Sequence, residues 1–98
     1  RPFDLVICQD VLQYLPERSA RTAMDRLVAL CGGALYFAAL TKEDWEENCD
    51  QDLTDGSGYL RSGRWYRKRL KRDFVNAGGG LFVKRGTGIV LYDLEKLD

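Results

Sequence analysis

An α/β fold, in which a parallel pair of strands precedes an antiparallel hairpin, is what the sequence predicts, and three observations carry it. The run Phe3, Leu5, Val6, Ile7, Cys8 is almost continuously apolar, as suits a parallel strand covered on both faces in the middle of a sheet. A helix-period stretch then leads into a second apolar run, Ala34 to Leu40, giving the strand, helix, strand order of a right-handed crossover. Glycine-punctuated apolar segments close the chain, the composition that tight hairpin turns demand.

The first strand is expected over residues 3–8. Gln9 and Asp10 lead into a short helical turn through Val11, Leu12, Tyr14 and Leu15, which Pro16 stops. Ser19 is the expected N-cap of the next helix, its hydroxyl taking an otherwise unpaired amide. Ala20, Met24, Leu27, Val28 and Cys31 share one face of that helix, and Gly32 and Gly33 end it. The second strand is expected over residues 34–40. Thr41 is placed to cap a short acidic helix holding Trp45, and "DLTDGSGY" has the composition of a mobile loop. From Arg64 the pattern turns helical again, with Tyr66, Leu70, Phe74 and Ala77 four, four and three apart, until Gly78 to Gly80 close it. A hairpin of residues 81–85 and 88–93 around Gly86-Thr87-Gly88 is expected to complete the same sheet.

At 98 residues and 45% hydrophobic composition the chain holds one domain with a thin core. Fifteen basic residues balance fifteen acidic ones, so net charge gives no argument for nucleic acid or an anionic membrane. The distribution is uneven: Glu43, Asp44, Glu46, Glu47, Asp50, Asp52 and Asp55 form an acidic stretch, and a basic one follows from Arg61 to Arg72. Cys8, Cys31 and Cys49 have no metal-ligand spacing and histidine is absent, so no zinc site is expected. No secretory signal and no membrane-length apolar run is present, which leads to the expectation of a reducing, cytoplasmic setting without a membrane.

"FDLVICQDVLQYL", "GGALYFAAL" and "WYRKRLKRDFVNAGG", followed by a closing hairpin, form an ordered set. In that order they resemble the fourth strand, the fifth strand, the last helix and the sixth and seventh strands of class I S-adenosylmethionine-dependent methyltransferases. The resemblance covers nearly all 98 residues, and its most specific part is the order of elements together with "DVLQYL". It implies a partial Rossmann-like methyltransferase sheet, with residues 1–98 forming the C-terminal half of the domain and S-adenosylmethionine as cofactor. The family's glycine-rich loop and ribose-binding acid have no counterpart, since "GGALY" and "GGGLF" enter strands instead of following one and opening a helix. The resulting expectation is a fragment whose upstream half is missing or supplied elsewhere, inactive alone, with an exposed sheet edge that favours self-association.

In such sheets ligands lie beyond the carboxyl ends of the parallel strands, where Cys8, Gln9 and Asp10 stand. The resemblance implies that the backbone at Cys8 and Gln9 approaches the sulfonium and amino end of the cofactor and that Asp10 lines its pocket. Read from the residues alone, Asp10 equally serves as a cap of the short helix. Gln13 and Tyr14 are placed to face the methyl acceptor, Tyr14 being readable as packing too, and Trp65 joins them because it lies off the Tyr66–Leu70 stripe. Methyl transfer depends mainly on alignment of donor and acceptor, so no catalytic base is singled out. A small-molecule acceptor is expected. Nucleic acid is not, because the basic stretch lacks stacking aromatics on a strand face. The alternative is a non-catalytic interaction module, or a degenerate methyltransferase half that pairs with a partner chain.

Overall fold

The computed structural model describes residues 2–54 and 56–97, so Asp55 of the acidic stretch lies outside the described residues. Strands β1 (Phe3–Gln9) and β2 (Cys31–Ala38) run parallel, with Leu5 opposite Ala34, Ile7 opposite Tyr36 and Cys8 opposite Phe37. Helix α1 (Glu17–Leu30) makes the crossover between them. After α2 (Lys42–Glu47) and α3 (Gly63–Leu70), strands β3 (Phe74–Gly78) and β4 (Leu81–Lys84) form an antiparallel hairpin, and β4 pairs antiparallel with β2. The sheet order is β1-β2-β4-β3, so the parallel pair and the hairpin belong to one mixed α/β sheet, as expected.

Alternation along the strands assigns one face to the core. Cys8, Leu35, Phe37 and Phe82 point to the side where Met24 of α1 and Tyr66 and Leu70 of α3 pack, and Leu12 and Phe74 complete the cluster. On the opposite face Leu5 is 55% and Ile7 63% exposed. The apolar run of β1 therefore does not mark a strand covered on both faces: β1 is the sheet edge, with Val6 and Cys8 turned to the core and Phe3, Leu5 and Ile7 to solvent.

Four local expectations are corrected. Helix α1 begins at Glu17 with Pro16 as its N-cap, while Ser19 lies inside the first turn; the Pro16 carbonyl accepts from the Ala20 amide at 2.9 Å, and the fixed φ of proline suits this entry. Gly32 and Gly33 do not end that helix but belong to β2, which starts at Cys31 without a connecting loop and ends at Ala38. A β-carbon on Gly33 would lie 2.3 Å from the Asp4 carbonyl oxygen, at the register irregularity between Phe3 and Leu5, so this glycine serves close strand approach. Helix α3 stops at Leu70, and Phe74 to Gly78 are strand; Phe74 is buried and stands four residues after Leu70, so apolar spacing alone reads it as a continuation of the helix. The hairpin turn is Gly79-Gly80, at φ of +62° and +87°, not Gly86-Thr87-Gly88. Residues 88–93 form no strand. The Thr87 hydroxyl donates to the Lys84 carbonyl at 2.9 Å, and the chain leaves the sheet before Leu97 returns in a single antiparallel bridge to Asn76.

The expectation for α2 holds. Its N-cap is Thr41, whose hydroxyl oxygen accepts from the Asp44 amide at 3.1 Å and whose O–H donates to the Asp44 carboxylate at 2.9 Å. No helix among the described residues is long and apolar enough to cross a membrane.

Candidate functional site

The carboxyl end of β1 is built by an abrupt change of backbone direction. Asp10 adopts φ of +57°, and it is the one non-glycine residue with positive φ among those described. Its amide donates to the Ala38 carbonyl at 2.8 Å, which ties the turn to the end of β2. Aspartate tolerates this left-handed conformation better than most residues, at a cost of order 1 kcal/mol, and such outliers cluster at functional sites. The side chains of Gln9 and Asp10 are exposed. Asp10 does not cap the short helix: the 3-10 turn Leu12–Tyr14 has Val11 as its N-cap, with no side-chain cap hydrogen bond.

Cys8 points the other way. Its side chain is buried in the core, and burial pushes the thiol above its ordinary value, so it is held neutral and contributes only its backbone to the strand end.

Gln13 is 4% exposed and faces inward, its side-chain oxygen lacking a partner among the described residues. Its carbonyl accepts from the Tyr59 amide, an arrangement that requires Gly58, where a β-carbon would sit 2.4 Å from the Gln13 carbonyl oxygen. Tyr14 is about half exposed, on the same turn. Gln9 and Asp10 are thus exposed at the carboxyl end of β1 and Tyr14 on the turn that follows, while Gln13 is buried.

Trp65 is placed differently. Its ring carries the Arg61 guanidinium 4.9 Å from its centroid and that of Arg69 at 4.2 Å, with Tyr66 edge-on at 5.1 Å. A hydrogen bond from Trp65, and then Arg21, draws the Glu17 carboxyl below its usual range. Trp65 is therefore committed to contacts within the chain. Arg61, the first residue of the basic stretch, donates to the Leu12 and Leu15 carbonyls and holds the 3-10 turn in place. No signal in the sequence separates it from its basic neighbours.

Neither of two further concavities is lined by Cys8, Gln9, Asp10, Gln13 or Tyr14, although the first borders Ala38 at the carboxyl end of β2. One, of about 370 Å3, is bounded by Tyr36, Ala38, Thr41, Asp44, Tyr66 and the β3–β4 glycine turn. The other, of about 630 Å3, lies between α3, the hairpin and the C-terminal tail. Comparison of the chain with protein-family models, with curated proteins and with solved structures finds no match.

Proposed function

We propose that the chain forms the C-terminal half of an S-adenosylmethionine-dependent methyltransferase domain, acting on a small-molecule acceptor when the domain is complete. The observation that carries the reading is the Asp10 turn: a strained, solvent-facing acidic residue directly beyond a parallel strand, where open α/β sheets bind ligands. The single mixed sheet, with its parallel pair first and its antiparallel hairpin last, supports the same reading.

The residues present fit one end of the cofactor. An exposed carboxylate at Asp10 and the backbone at Cys8 and Gln9 offer negative charge and acceptors to a cationic ligand, while the Arg61 guanidinium beside the same turn is taken up by the Leu12 and Leu15 carbonyls. The bound cofactor would supply an electrophilic methyl group on its sulfonium. The chain's own contribution is orientation: Gln9 and Asp10 hold the donor end, and Tyr14 borders the space from which an acceptor approaches. The glycine-rich loop and the ribose-binding acid must come from outside these 98 residues. A degenerate half that pairs with a partner chain is the second reading, favoured by the free edge of β1 and its exposed Leu5 and Ile7.

Calorimetric titration of the intact protein with S-adenosylhomocysteine tests the proposal. Saturable binding that Gln9→Trp weakens at least about tenfold supports it, a cost of about 1.4 kcal/mol. Absence of binding by the unsubstituted protein overturns it in favour of the second reading.

A further inference from the structure

The 630 Å3 concavity is lined by six charged side chains, and all are basic: Arg64, Arg67, Lys68, Lys71, Arg85 and Lys96. All six residues are exposed. They converge from three segments. Four form a stripe on α3 and the turn after it at spacings of three, one and three; Arg85 follows β4; and Lys96 is brought over by the bridge between Leu97 and Asn76. A solvated helix face explains the stripe alone, but not the opposite wall that closes it into a groove.

None of the six forms an ion pair among the described residues, where the ion pair observed is Arg21–Glu17 on α1. The Glu43 carboxyl is drawn down chiefly by the Gly63 amide and to a lesser extent by Arg67. Like charges three and four residues apart on a helix repel. The arrangement therefore brings six cations together with no ion pair among the described residues, the Arg85 guanidinium donating to the Lys71 carbonyl at 3.2 Å, over a floor of Phe74, Val75 and Phe82 that strengthens the field inside the groove.

We infer that this groove binds a small molecule bearing two or more linked phosphates. Six cations exceed what one phosphate neutralises, and the volume suits a single small ligand rather than a polymer. A nucleic-acid strand fits less well, because the rings of Phe74 and Phe82 are 1% and 8% exposed and offer bases no face to stack on. The groove adjoins the 370 Å3 concavity through Arg67, Asn76, Phe82 and Leu97. The inference does not rest on the methyltransferase reading.

The test is calorimetric titration of the intact protein at low salt with inorganic tripolyphosphate, with orthophosphate and with a ten-nucleotide oligouridylate. Tripolyphosphate should bind at least about tenfold more tightly than orthophosphate, a steep preference that several converging cations produce. The double variant Arg67→Gln/Lys71→Gln should weaken binding at least about tenfold with an unchanged circular-dichroism spectrum. Lys96→Gln, in the tail and outside the sheet, provides an independent variant expected to lose about threefold. Arg21→Gln should have no effect. Absence of saturable tripolyphosphate binding, or an equal loss in Arg21→Gln, overturns the inference. Tighter binding of the oligouridylate, lost in the same variants, overturns it in favour of a nucleic-acid track.

Discussion

Lys84→Met removes one contact between the hairpin and the crossover helix. The Lys84 ammonium lies 2.7 Å from both the Val28 and the Cys31 carbonyl oxygens and donates to each. Helix carbonyls at a C-terminus lack intrahelical partners, and the helix dipole favours a cation there. A hydrogen bond to a charged group contributes about 1.5–3 kcal/mol, so two give a gross 3–6 kcal/mol. Part of this is offset, because Lys84 is half-buried: water reaches the freed carbonyls, and methionine retains much of the stem's packing. The expected net loss is about 2–3 kcal/mol, which at 4–8 °C per kcal/mol lowers the melting temperature by about 10–20 °C. Urea unfolding followed by far-ultraviolet circular dichroism measures it, with the slope unchanged between variants. A loss below about 0.5 kcal/mol would mean that the α1 terminus does not depend on β4.

Two further outcomes follow from local geometry. Gly33→Ala should destabilise by about 2–3 kcal/mol in the same assay, since the added carbon meets the Asp4 backbone, whereas Gly32→Ala, which meets the Pro2 side chain, should cost less; equal costs would count against the close strand approach. Asp44 is held below the usual carboxylate range by its hydrogen bonds to Asn48 and then Thr41, so its stabilisation of α2 is present above the unfolded value of about 3.9 and is lost as pH falls through the lower folded value. Carbon-13 titration of the Asp44 carboxyl should show its midpoint rising in Thr41→Ala/Asn48→Ala, and an unmoved midpoint would contradict that assignment.

The parallel pair was legible in the sequence because two apolar runs flank one amphipathic helix, and the α2 cap because Thr41 stands directly before an acidic turn. The end of α3 was not, since Phe74 enters the core from helix or strand alike and only pairing with β4 decides between them. Gly78 to Gly80 read as the close of a helix and Gly-Thr-Gly as the hairpin turn, but which glycines turn the hairpin depends on which flanking residues find partners in the sheet. At the strand end, Gln9 and Asp10 were placed by position, whereas the left-handed turn at Asp10 and the inward orientation of Gln13 are products of packing. Trp65 stood off the apolar stripe, but nothing in its spacing showed that two guanidinium groups occupy its faces. The basic groove needed Lys96, which only the tail's return to β3 brings close.

Hydrogen exchange of the intact protein, with and without saturating S-adenosylhomocysteine, tests the central claim most directly. Exchange should slow in the segment from Gln9 to Tyr14, the turn beyond β1, with no comparable change in the tail from Ile89 to Lys96. Unchanged exchange from Gln9 to Tyr14 under saturating ligand would contradict that claim.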